Sequence, residues 1–187
     1  MMAFNGKACI GMFLCLAFSV SVLGQEKKPA NTNQSCKQFV GQFYSWYLDL
    51  KLKDNPTRTS ELAVKAKPDV FDPSLAQQLR EDSAAQDKAG SDLVSLDADA
   101  FLGSDGPADR YIVKQVTFKG GKCWAEVHGV REHKEGKAPE VTPELEMNNG
   151  QWRFVNFYFP SPSKPKSWNL LGELKALRES REPKNNK

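Results

Sequence analysis

Imidazole is nearly missing from this chain: His128 and His133 are its only histidines in 187 residues, and neither stands at zinc spacing from one of the four cysteines. No glycine-rich phosphate loop, nucleophile elbow or HExxH helix occurs, so nucleotide, serine-hydrolase and zincin chemistry find no support. Charge of one sign is scarce as well. The 26 Lys and Arg stand against 23 Asp and Glu, a net of +3, and so small an excess does not supply the clustered phosphate contacts that a nucleic acid demands. No nucleic-acid partner is expected. Large apolar side chains, in contrast, are plentiful: 11 Phe, 4 Tyr and 4 Trp within a 40% apolar composition suffice for one core and exclude wholesale disorder. This length bounds the chain to one domain with appendages.

Long apolar runs are lacking with one exception. Ala8 to Leu23 carries no charge, follows the single cation Lys7, and ends at Val22-Leu23-Gly24 ahead of Gln25-Glu26-Lys27-Lys28. This is the three-part pattern of a secretory signal peptide over residues 1–24. A bilayer span needs about 20 apolar residues, more than this run offers, so no stable membrane anchor is expected once it is cleaved. Cys15 follows the bulky Leu14 instead of a small residue, which does not fit a lipid-modified cysteine. Cys9 and Cys15 would leave with the peptide. Cys36 and Cys123 would then face an oxidising compartment, either bridged or as two small buried hydrophobes. A bridge would close a loop near 100 residues, worth about 4 to 5 kcal/mol by loop-closure entropy.

Residues 25–35 are polar and read as a flexible leader. Ser35-Cys36-Lys37-Gln38 fits a capping box, after which Cys36, Phe39, Val40, Phe43, Tyr47 and Leu50 recur at helical spacing, widened by Tyr44 and Trp46, until Asp54-Asn55-Pro56. A short helical turn is expected over Ser60 to Ala66. Asp72-Pro73 predicts a helix start and Gly90 its stop. The stripe of that helix ends in Asp82, Ser83 and Gln86, which either emerge into solvent or line something wet. From Tyr111 the period changes to strands: Tyr111–Phe118, Cys123–Arg131, Val141–Met147 and Gln151–Phe159, punctuated by Gly120-Gly121 and Asn149-Gly150, predict an antiparallel meander. Pro143 requires pairing to be interrupted there or to begin after it. The last run reads as apolar on both faces, which calls for cover from helices on one side and from the C-terminal segment or a second subunit on the other, so a dimer is possible. Ser167 to Arg181 predicts a Ser-capped terminal helix, docked or surface-seeking, before a frayed tail at 183–187.

Phe39-x-x-x-Phe43-Tyr44-x-Trp46-Tyr47, Leu96-Asp97-Ala98-Asp99-Ala100-Phe101-Leu102 ahead of Asp105, and Asn149-Gly150-Gln151-Trp152 together resemble a family of secreted bacterial proteins known as domain of unknown function 3828. That family is similar in architecture to the nuclear-transport-factor-two-like cone. It usually has Pro where this chain has Ala100 and Gln where it has Ser104, so whatever that Gln does is not carried over. The resemblance implies a periplasmic or secreted location and, over residues 36–182, a single α+β cone: two or three helices packed on a curved antiparallel sheet of at least four strands, plus a C-terminal helix. It implies no reaction.

The densest carboxylate group is Asp97, Asp99, Asp105 and Asp109. The alternation of a calcium loop fails at Ala100 and Phe101, so no metal is expected and no other cofactor is indicated. Asp97 and Asp99 suit an irregular segment held by backbone hydrogen bonds, with Phe101 and Leu102 as plugs and Asp105 and Trp152 completing the motif. The leading functional expectation is a non-catalytic module binding a small ligand or a protein in a hollow between the first helix and the sheet, walled by Tyr44, Trp46, Tyr47, Gln86, Arg153 and Tyr158. The alternatives are a proton-transfer or hydrolytic enzyme with Asp82, Asp99 or His128 as base, and a secreted inhibitor or immunity protein that acts by surface complementarity.

Overall fold

The computed structural model describes residues 29–54, 58–103, 106–160 and 168–182. Among them are four α-helices and a six-stranded antiparallel sheet that does not close on itself: α1 (Pro29–Asp54), α2 (Thr59–Ala66), a 3-10 turn at Pro68–Val70, α3 (Pro73–Ala89), β1 (Arg110–Lys119), β2 (Lys122–Arg131), β3 (Lys134–Glu135), β4 (Thr142–Asn148), β5 (Gln151–Phe159), β6 (Trp168–Asn169) and α4 (Leu170–Arg181). The α+β class follows. The expected signal peptide at 1–24 and tail at 183–187 lie outside the described residues.

The helices obey their local signals with two exceptions. Asp72 caps α3, its carboxylate accepting from Ser74 N–H at 2.9 Å, Pro73 fills the first turn, and Gly90 at φ 68° ends the helix. The first helix, however, does not start at the Ser35 box. It runs from Pro29, and Ser35 Oγ donates backward to the Thr32 carbonyl at 2.9 Å instead of capping forward. The last helix is capped by Asn169, whose side chain accepts from Gly172 N–H, and not by a serine.

The sheet runs β1-β2-β4-β5-β6, with β3 on the flank of β2. Its two long hairpins turn on Gly120-Gly121 and Asn149-Gly150, in both of which the two central residues have positive φ, as tight hairpins with the right twist require. Pairing of β4 to β2 covers only Glu144 to Glu146, stopping short of Pro143 as its missing N–H dictates, while pairing to β5 continues through it. On β5 the register slips opposite Glu144 and Leu145, leaving Val155 as a bulge. The slip corrects the two-faced reading of this strand: Trp152, Phe154, Phe157 and Phe159 all turn to the core, whereas Arg153, Val155 and Tyr158 are only half-buried. One layer of helices therefore covers all four rings.

The core is aromatic. Phe43 of α1 touches Tyr47, Phe71, Phe101 and Phe154 at centroid distances of 4.6 to 5.8 Å, and Phe101 in turn meets Phe71 and Phe157 at 5.1 and 4.9 Å. Leu170 and Leu174 of α4 join the same cluster, so the terminal helix is docked. Gly103 sits where a Cβ would fall 2.4 Å from the Phe159 ring, at φ 64°, so the chain passes that ring only with glycine.

A disulfide joins Cys36 of α1 to Cys123 of β2 across 87 positions, with Cα atoms 6.8 Å apart and both residues fully buried. It fixes the helix to the sheet. Reduction, or replacement of both cysteines by serine, is expected to lower stability by about 4 to 5 kcal/mol, measured by denaturant unfolding with and without reductant. A change below about 1 kcal/mol would show that helix and sheet hold their register without it.

Candidate functional site

The structure divides the expected cavity wall between two faces of the sheet. Tyr44 and Tyr47 are 1% and 0% exposed and lie within the aromatic core, so neither borders a hollow. Tyr44 Oη donates to the Phe101 carbonyl at 2.9 Å, and Tyr47 Oη donates to the Asp99 carboxylate at 2.8 Å. Trp46 is half-buried and lies under the Lys67 ammonium, 4.2 Å from its ring centre. Arg153 and Tyr158 alternate with core residues and therefore point to the opposite face. His128 does too, because Cys123, Ala125 and Val127 on the same strand face the helices. His128 therefore does not join Asp82 or Asp99, the other two candidate bases. Gln86 is a staple: its amide donates to the Asp92 carbonyl at 2.9 Å and accepts from Val94 N–H and Ser95 Oγ at 3.1 Å, holding the loop after α3.

What the fold does gather is Asp82, Asp97 and Asp99. They line one polar cleft of about 270 Å³ between the end of α1, the start of α2, α3 and the 95–99 segment. Asp82 and Ser83 from the polar end of the α3 stripe thus border this cleft, whereas Gln86 does not. Asp99 closes the turn that follows it, its carboxylate accepting from Phe101 and Leu102 N–H at 3.0 and 3.2 Å, from Tyr47 Oη, and from Lys51 Nζ at 2.9 Å. Gly103 N–H reaches the Asp99 carbonyl at 2.8 Å, which completes the loop. Phe101 and Leu102 are buried plugs, as their place beside this acid suggested. Asp82, buried on α3, accepts from Arg181 at 2.8 Å and from Leu96 N–H at 3.0 Å, and Arg181 also donates to the Val94 carbonyl. Arg58 binds Asp87, Glu61 and Ser83 at the mouth. Both oxygens of Asp82 and of Asp99 accept a donor, and each carboxylate is ion-paired, Asp82 with Arg181 and Asp99 with Lys51.

Burial shapes the acid–base behaviour of the phenols. All four tyrosines are held above the usual range, Tyr44 and Tyr47 most, first because the phenolate would lose its hydration and then, for Tyr47, because the Asp99 carboxylate stands against it.

On the outer face, His128 Nδ1 meets the Gly136 carbonyl at 2.9 Å and Glu126 lies 4.0 Å from its Nε2. Trp152 belongs to the core end of its hairpin, donating to Ser35 Oγ at 3.1 Å. Asp109 accepts from Glu132 N–H, and Asp105 lies outside the described residues. An open groove of about 480 Å³, with Trp124, Tyr158 and the prolines Pro139 and Pro160 in its walls, crosses this outer face. Beside it the buried Glu144 accepts from Lys122 Nζ at 2.7 Å and Tyr158 Oη at 2.8 Å.

Sequence reasoning missed Lys51, Arg58, Glu144 and Arg181. Lys51 was findable, one helical turn after Tyr47 on the same face and so the natural counter-ion of an acid bound to that tyrosine. Arg181 had no such signal, since it reaches Asp82 across 99 positions. Among the described residues no group of three His, Cys, Asp or Glu side chains, the cleft aspartates included, is placed to hold a metal ion, and no helix is long and apolar enough to cross a membrane. No protein-family description, no curated protein and no solved structure matches the chain.

Two outcomes are expected. Asp99→Ala strands Tyr47 and Lys51 and removes a turn cap, costing about 3 to 5 kcal/mol in chemical denaturation; a loss under 1 kcal/mol would show that this carboxylate holds nothing. Raised phenol pKa values stabilise the fold fully below the unfolded value near 10, and that stability is lost as pH rises beyond it. The phenolate absorbance at 295 nm should stay flat through pH 10 and then climb together with loss of circular dichroism. Smooth titration near pH 10 in the folded protein would contradict the buried tyrosines.

Proposed function

We propose that this chain is a non-catalytic interaction protein of an exported compartment, acting on a protein partner through its surface and not through an internal pocket. The observation that carries the reading is the filled interior, where Phe43, Phe71, Phe101, Phe154 and Phe157 occupy the space between α1 and the sheet in which a ligand would lie. The ion pairs that hold Asp82 to Arg181 and Asp99 to Lys51 argue in the same direction, because acid–base catalysis requires a group that can take up or release a proton at substrate. Exposed apolar residues remain available outside: Phe118 and Met147 are each 45% exposed, and Phe118 packs edge-on against Trp152. The buried Cys36–Cys123 disulfide supports export, since such bonds form and persist in oxidising compartments. Membership of the domain-of-unknown-function-3828 family belongs to the same proposal and rests on the aromatic helix, the Asp97–Phe101 segment and the Asn149-Gly150-Gln151-Trp152 hairpin.

The test is occupancy of the interior. Titration of the purified protein with the apolar fluorophore N-phenyl-1-naphthylamine is expected to give no saturable, blue-shifted emission that Tyr44→Phe or Phe101→Leu alters. Saturable binding that either variant changes would place a ligand in the core and overturn the surface reading.

A further inference from the structure

We infer that the free edge of β1 is a docking strip for an extended acidic segment of a partner protein, which would add to the sheet as a further antiparallel or parallel strand. The inference rests on the surface-acting reading above and names its partner. β1 stands at the end of the strand order and, among the described residues, pairs with β2 alone. It is ten residues long, yet not one of them is buried, in contrast to β2, where six of ten are. No other described strand pairs with it. The opposite edge of the sheet, β6, has two residues and is continuous with α4, so it offers no comparable template.

Charge selects the occupant. β1 reads Arg-Tyr-Ile-Val-Lys-Gln-Val-Thr-Phe-Lys and carries three cations, Arg110, Lys114 and Lys119, with no acid. Lys37 on α1 reaches over to the Lys114 carbonyl at 3.2 Å and adds a fourth positive charge beside the strand. Of these, Lys114 meets Glu135 and is still half exposed, while Lys119 is exposed. A second copy of this chain would set cations against cations in the same strip, so self-pairing is disfavoured. An acidic strand complements them, gaining main-chain hydrogen bonds for affinity and ion pairs for selection and encounter rate. The irregularity between Val113 and Val116 divides the edge into two halves. The 116–119 half carries Phe118, whose exposed ring gives an apolar residue of the incoming strand something to cover. Lysines and a bulge are also the devices by which a sheet edge is kept from pairing at all, and the two roles give opposite results with one reagent.

A fluorescently labelled eight-residue peptide alternating glutamate and valine, with blocked ends, is titrated against the full chain by anisotropy, and hydrogen exchange maps the contact. The expected result is saturable binding that weakens at least tenfold in the Lys114→Glu, Lys119→Glu double variant and protects amides within 110–119. A matching lysine–valine peptide should bind at least tenfold more weakly to the wild type. Exposed side chains at both positions keep the double variant folded, which its circular dichroism melting curve verifies. No saturable binding up to millimolar acidic peptide, equal binding of the lysine peptide, or protection confined to another element overturns the inference. Each of these would leave the filled core and the surface-acting reading standing, whereas a ligand in the core overturns that reading whatever the peptide does.

Discussion

One irregular turn decides what this molecule can be. Asp99 gathers two backbone N–H groups, the Tyr47 hydroxyl and the Lys51 ammonium around one carboxylate, and the turn it closes drives Phe101 and Leu102 into the space between α1 and the sheet. One hydrogen bond from the Lys51 ammonium, one from the Tyr47 hydroxyl and two from the backbone compensate the cost of taking this acid out of water. Phe101 then contacts rings from α1, from the segment after the 3-10 turn and from β5. Without this plug the interior would be a pocket with a polar mouth. With it, the interior is ordinary close-packed core.

The β5 bulge has the complementary effect. A regular strand would send Phe157 and Phe159 outward and demand a second covering layer, whereas the extra residue at Val155 keeps both on the inner side with Trp152 and Phe154. A single layer of helices is then enough to bury the sheet. The outer face stays half-wet, carrying the Lys122–Glu144–Tyr158 cluster and a shallow aromatic groove instead of a second core. The disulfide and the Asp82–Arg181 pair act at the two ends of this arrangement, one fixing α1 to β2 and the other fixing the end of α4 to α3.

Much of this was legible in the residues. The change from helical to alternating period at Tyr111, the Gly120-Gly121 and Asn149-Gly150 turns and the Asp72-Pro73 start each mark backbone states that few residues allow, so they survive without tertiary information. The plug role of Phe101 and Leu102 was legible for the same reason, as an acid followed by large apolar residues in a segment with no period. Three things were not. A bulge is set by the fit of two strands and leaves no mark in either, so the last strand read as apolar on both faces. Ser35 could bond forward or backward with equal local logic, and the helix began earlier than its capping box. Whether Tyr44 and Tyr47 wall a hollow or fill it depends on summed side-chain volumes from five distant segments, which no local pattern records.

Xenon titration of the wild-type protein, followed by the ¹²⁹Xe chemical shift, examines that filled space most directly, because the atom enters any dry internal void near the size of a small ring. The account expects a shift that rises linearly with protein concentration and never saturates. Saturable xenon uptake, accompanied by shifts in the ring protons of Tyr44, Tyr47 or Phe101, would mean that the middle of the molecule is open after all.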